Sequence, residues 1–265
     1  MEIFTSPDVI WAIGHVLAMT IGLSLGLIGG GGSVLAVPVL IYVMNLPTQE
    51  AIATSLFVVG LVSLIGLSSH WQQGNVNLKI ALAFAPFAMV GAYLGAQFAA
   101  LPPINDTVQL VSFGIVMGIA GVSMIRKDSQ SRSSESKVDI LSVPPRATNF
   151  ALVPLQGATV GLLTGFVGVG GGFAIVPALV ILGGVPMKEA IGTSLLLIVF
   201  NAVSGFLGYI DRVDLDWSLI ASFAIAASLG TLSGASFARS IDAKHLQKGF
   251  GYFVLAIAIF VLIQR

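Results

Sequence analysis

The chain has no cysteine among its 265 residues, which excludes disulfides, thiolate catalysis and cysteine-based metal sites. Charge is nearly as scarce. Asp, Glu, Lys and Arg make up 9% of residues, against about 25% in a soluble domain, so this surface cannot face water on all sides. The 12 basic and 12 acidic residues cancel, leaving no cationic excess to hold a nucleic acid. The three histidines, His15, His70 and His245, lie far apart in sequence. No metal-ligand cluster, nucleophile–base pair or other catalytic spacing occurs, so no cofactor or metal is implied and the chain reads as a non-enzyme. The N-terminus has no basic n-region and no small-residue cleavage site. No removable signal peptide is expected, and the first apolar helix serves as the targeting signal.

What fills the chain is apolar. Hydrophobic residues make up 56%, and the mean hydropathy is +0.97. Apolar stretches run over 10–28, 33–44, 48–69, 78–99, 106–125, 148–167, 171–182, 187–208, 215–237 and 246–263. Several are about 20 residues long, the length of a membrane-spanning helix rather than of a barrel strand. The expected fold is an all-α, polytopic helical membrane protein with eight to ten membrane segments and the lipid bilayer as its surroundings. Residues 126–147 are the one long polar stretch, rich in serine and charge. They read as a flexible linker between a first membrane unit, 1–125, and a second, 148–265.

The two units are repeats. Gly22 and Gly26 recur 139 positions on as Gly161 and Gly165, and Gly29, Gly31 and Gly32 as Gly168, Gly170 and Gly171. Pro38 and Pro47 recur as Pro177 and Pro186, and Glu50-Ala51-Ile52 as Glu189-Ala190-Ile191. Thr54-Ser55-Leu56 recurs as Thr193-Ser194-Leu195, and Gly91, Gly95 and Phe98 as Gly230, Gly234 and Phe237. No gap is needed.

Helix length decides how each unit begins. Residues 10–44 as one straight helix would span about 52 Å, against a hydrocarbon core of about 30 Å. If the chain turns back at the glycines, three further crossings place the second unit on the opposite side, inverted. Lys79, Arg126, Lys127, Arg132, Lys137, Arg146, Lys188, Arg239, Lys244 and Lys248 then share one side, leaving only Arg212 and Arg265 on the other. A single crossing at each glycine run would move Lys188, Arg239, Lys244 and Lys248 across and weaken that asymmetry. The positive-inside rule therefore favours two inverted repeats, each with a Gly-rich broken or re-entrant hairpin. The linker is then cytoplasmic and both termini are periplasmic.

A helix broken inside a bilayer leaves amide and carbonyl groups that lipid cannot satisfy. A helix restarting after the break aims free N–H groups and a positive dipole end at it. With no side chains there, a small anion can approach the backbone. Paired breaks in an inverted repeat mark the substrate site of many transporters. The candidate substrate-binding residues are Gly29, Gly30, Gly31, Gly32 and Ser33 in the first break, and Gly168, Gly170, Gly171 and Gly172 in the second. The hydroxyls of Thr54, Ser55, Thr193 and Ser194 and the amide of Asn201 join them. Spaced pairs such as Gly22/Gly26 and Gly91/Gly95 are read as close helix packing instead. No βαβ context or P-loop lysine accompanies the glycines, so they do not form a nucleotide site.

The paired G-x-x-G-x-G-G-(G/S)-x-x-x-x-P segments, each followed by P-x-x-E-A-I-x-T-S-L, resemble those of the TauE/SafE family of sulfite exporters. The resemblance covers both units. It implies a secondary transporter that exports a sulfur-containing anion, sulfite or an organosulfonate, across the bacterial inner membrane. An anion channel with the same site is the alternative, and a membrane-embedded enzyme the more remote one. The sequence leaves a homodimer open.

Other polar residues have plainer readings. Glu50 and Glu189 sit in first helical turns after a proline, where a carboxylate is stabilised. His15 reads as a neutral, hydrogen-bonded histidine near the outer interface. His70-Trp71 and Trp217 read as interface anchors at helix ends. Arg212 reads as a partner for Asp211 or Asp214.

Overall fold

In the computed structural model, residues 7–99, 106–134, 153–167, 172–209 and 213–263 are described. Among them every regular element is helical. In chain order these are α1 (Pro7–Ile28), α2 (Ser33–Pro38), α3 (Thr48–Gln72), α4 (Leu78–Ala99), α5 (Asp106–Ser134), α6 (Val153–Val167), α7 (Gly172–Pro177), α8 (Met187–Leu207), α9 (Trp217–Ser240) and α10 (Ala243–Ile263). Among the described residues, five helical stretches are long and apolar enough to cross a membrane: Val9–Ile28, Gln49–Gln72, Leu78–Gly95, Met187–Leu207 and Trp217–Ser240. Large apolar side chains face outward on α4 (Leu82, Val90) and α9 (Ile225, Phe237). An exterior of this kind suits lipid, not water. One sequence boundary shifts. The stretch read as linker from residue 126 continues α5 as far as Ser134. Arg, Lys, Gln and Ser there prolong an existing helix at little cost in propensity.

The duplication is visible in the backbone. Pro38 and Pro177 each end a six-residue helix and open one wide π-helical turn, Val39–Val43 and Ala178–Leu182. Each turn closes through matching hydrogen bonds: Met44 N to Val39 O and Leu46 N to Leu40 O in the first, Gly183 N to Ala178 O and Val185 N to Leu179 O in the second. Asn45 (φ 55°) and Gly184 (φ 67°) occupy the same left-handed position 139 residues apart. Pro47 and Pro186 then hold nearly identical extended geometry (ψ 145° and 143°) ahead of α3 and α8.

Helix pairing follows the same arithmetic. The first helix of each unit packs along the fourth helix of the other: α1 against α9, and α6 against α4. Small residues allow this close approach. Gly22 and Gly26 abut Ala227 and Thr231, and Thr231 Oγ1 donates to Gly22 O (2.9 Å). In the other pair Gly161 and Gly165 abut Ala88 and Ala92. Numbers rise together in both pairs, so these helices run parallel. The remaining pairs join equivalents. α3 packs on α8, with Gly60 near Ala202, Gly66 near Leu195 and Gly205 near Leu56. α5 packs on α10, with Gly121 near Gly251 and Gln247 Nε2 donating to Met124 O (3.2 Å). Here one number rises as the other falls, so equivalent helices run antiparallel.

The six described cationic side chains collect at one end. Asn77, just before α4 and its Lys79, donates to Glu189 in the first turn of α8 (2.6 Å). Lys188 Nζ reaches Arg239 O at the end of α9 (3.5 Å), and Arg239 donates to Ser69 at the end of α3 (3.1 Å). Lys244 and Lys248 open α10 directly after α9, and Arg126 follows Met124, which bonds α10. Glu50, Asp214 and Asp216 lie at the opposite helix ends, where Trp217 meets Phe57 edge-on (5.5 Å).

Candidate anion site at the glycine breaks

The first break is a tight reversal. Gly29 N still donates to Leu25 O (2.8 Å), closing α1. Gly29 itself turns to φ 75°, a conformation that ends helices and favours glycine. A 3₁₀ turn over Gly30–Gly32 follows, and Ser33 opens α2 with its hydroxyl donating back to Gly30 O (2.7 Å). The chain then returns beside α1. Gly32 lies against Ile21 and Leu25, and Met44 reaches Gly14. The glycine run is the tip of a helical hairpin.

That tip meets the other unit. A β-carbon on Gly29 would stand 2.8 Å from Ser194 Oγ, and one on Gly30 would overlap the carbonyl of Gly172. Gly172, which opens α7, also lies against Ile198 of α8. Gly31 lies within the turn. Gly168, Gly170 and Gly171 lie outside the described residues, as do Asp211 and Arg212.

The hydroxyls divide by what they already bond. Thr54, Ser55, Thr193 and Ser194 are all buried. Ser55 and Ser194 make the same local bond, to Ile52 O (2.9 Å) and Ile191 O (2.8 Å), and Ser194 is the one beside Gly29. Thr193 Oγ1 accepts from Asn77 N (2.9 Å), tying α8 to the start of α4. Asn201 differs from all four. It is buried on α8, and neither its amide oxygen nor its amide nitrogen has a partner. Its counterpart 139 positions earlier is Val62. From the packing register, α3 and α8 each cross their own counterpart near residues 61–62 and 200–201. Asn201 therefore brings its unpaired amide to the centre of the pseudo-symmetric pair.

Two histidines have distinct settings. His15 Nδ1 donates to Trp11 O (2.8 Å) and its Nε2 lies 2.9 Å from Ser222 Oγ on α9, a satisfied ring as the sequence implies. His70, read from sequence with Trp71 as an interface anchor, is buried at 2% exposure, while Trp71 is exposed. Its Nε2 lies 3.2 Å from Gly26 O in the last turn of α1, and its Nδ1 has no partner. Its position at a helix end gave no sign of this, because burial there comes from α1 and α8. Among the described residues no group of three His, Asp or Glu side chains is placed to hold a metal.

The sequence profile described as "Sulfite exporter TauE/SafE" matches residues 15–261, across both units and both breaks. The chain belongs to the TauE/SafE family. A "Probable membrane transporter protein" of Xylella fastidiosa strain 9a5c is 34% identical over 248 residues, covering 91% of each chain. YdhB of Bacillus subtilis, a protein of the same description, is 30% identical and covers 82% of this chain and 86% of its own. MJ0441 of Methanocaldococcus jannaschii, likewise described, is 24% identical over 94% of each. No solved structure matches. Membership in TauE/SafE makes the protein a membrane transporter. The match over residues 15–261 takes in both glycine breaks and the α3–α8 crossing.

Proposed function

We propose that this protein is a secondary carrier that exports a small sulfur-containing anion, sulfite or an organosulfonate, across the bacterial inner membrane. The observation that carries the reading is the meeting of Gly30 with Gly172, which brings the two helix restarts to one place. Free N–H groups at the starts of α2 and α7 then offer donors and a positive dipole end to an oxyanion without a formal cation. Gly29, Gly31, Gly32, Ser33, Gly168, Gly170 and Gly171 line this reading of the site. Thr54, Ser55, Thr193 and Ser194 supply hydroxyls around it, and Asn201 an amide that lacks a protein partner.

The halves act as inverted repeats in this scheme. The antiparallel run of α3 with α8 and of α5 with α10 supports it, because equivalents related by an axis along the membrane normal would run parallel. The gathering of cationic side chains at one end supports a cytoplasmic linker and periplasmic termini. Access alternates as each hairpin moves with the helix it packs on. The sulfur-containing substrate rests on the family's description.

Purified protein in liposomes loaded with sulfite or isethionate should accumulate the labelled anion by counterflow. Large single-channel currents instead of counterflow would overturn the carrier, and absence of flux for every sulfur oxyanion tried would overturn the substrate class.

A further inference from the structure

We propose that His70 is a proton-binding site whose occupancy is linked to the anion at the glycine breaks. The inference rests on the transport reading above. His70 is buried, and Nε2 faces the Gly26 carbonyl at 3.2 Å, so in the neutral ring Nε2 carries the hydrogen and donates. The Nδ1 lone pair is then left inside the protein with no donor. A lone pair buried without a donor is costly as a structural device and is where a proton adds to imidazole.

The surroundings link that proton to the break. Gly26 lies in the last turn of α1, whose carbonyls form the negative end of its dipole and favour a cation. Gly29 and Gly30 follow within about one further turn, so an anion at the break would lie close to a protonated ring. A protonated Nδ1 would also need an acceptor, which an anion supplies and the empty protein does not. Each ligand therefore favours the other. A monovalent anion bound with this proton would add no net charge to the interior.

The charged groups on the elements packed around His70 are few. Arg239 of α9 reaches Ser69, the neighbouring residue, which places one cation near the ring. On α8, Gly192 packs against the His70 β-carbon. One turn earlier Glu189 is bonded by Asn77, and Lys188 lies against the Arg239 carbonyl. Lys79 is exposed at the start of α4. The nearby end of α1 carries no ionisable side chain. In the second unit the same position is Tyr209, which does not ionise near neutral pH. The proton site is thus single, although the anion site is built from both units.

Two measurements on the full-length protein test this. Isethionate is the probe for exchange, since its sulfonate stays ionised throughout the range. In wild-type liposomes exchange should rise as pH falls between about 8.5 and 5.5, by up to about tenfold per unit, the limit for one linked proton. His70→Gln, which keeps a donor for Gly26, should flatten the profile. An unchanged profile in that variant would overturn the proposal. Independently, nitrogen-15 NMR of histidine-labelled wild type in saturating isethionate, with the His70 signal identified by its loss in His70→Gln or His70→Asn, should show the ring gaining a proton within this range. A ring that stays neutral to about pH 5 would also overturn it. Absence of isethionate exchange in wild type would count against sulfonate transport itself, and the same NMR titration in saturating sulfite would still decide the proton site.

Discussion

Gly30 and Gly172 touch backbone to backbone, and a β-carbon on either would overlap the other. One comes from the first glycine break and the other from the second, so a side chain at either wedges the halves apart. Gly30→Leu should reduce counterflow to background and lower thermal stability, with overpacking costing about 1–3 kcal/mol or more. Gly118→Ala is the control, because nothing lies within 4 Å of a β-carbon there. Wild-type flux in Gly30→Leu would separate the break-to-break contact from transport.

Asn201 offers a test in which stability and activity move in opposite directions. Its amide is buried with neither atom bonded. Asn201→Leu removes that unmet demand, so the melting temperature should hold or rise, by up to about 1–3 kcal/mol in stability. Flux and the stabilisation caused by bound anion should both fall. A variant that transported normally would leave Asn201 as a packing residue.

Thr193 and Asp216 hold the starts of α4 and α9, which are equivalent positions in the two units. Thr193→Val strips the Asn77 amide of its acceptor and should cost about 1–3 kcal/mol. Asp216 Oδ1 accepts from Ser218 N (2.9 Å) and Leu219 N (3.1 Å). Asp216→Ala should cost about 1 kcal/mol, the usual loss for an N-cap. Thermal unfolding in detergent measures both.

The absence of cysteine makes topology directly measurable. Asp214→Cys should react with a membrane-impermeant maleimide in intact cells. Lys79→Cys, at the cationic end, should react only after the cells are opened. The reverse pattern would invert the orientation argued from the positive-inside rule.

Much of this was legible because the chain says most things twice. The hairpin tip at Gly29–Gly32, the proline before each wide turn and the proline-led starts of α3 and α8 were all written in local sequence at fixed spacing. Less legible were features that depend on what packs where. Thr193 is a generic buried hydroxyl until Asn77, 116 positions away, is brought to it. His70 looks like an interface residue until the end of α1 covers it. The extension of α5 into the serine-rich stretch reflects helix propagation, which composition alone understates. The second break could be read only from sequence, since Gly168, Gly170 and Gly171 lie outside the described residues.

The crossed pairing of α1 with α9, and of α4 with α6, bears on how the molecule is made. Helix α1 packs on one that begins 189 residues after it ends, at Trp217. At about 5–20 residues per second, synthesis of that stretch alone takes on the order of 10–40 s. Throughout that interval the Gly22 and Gly26 face of α1 has no permanent neighbour, and the first hairpin must wait in lipid or against the insertion machinery. Neither unit is therefore an autonomous folding domain. Its assembly is a late event of high contact order, and truncation anywhere before α9 leaves α1 without its partner helix.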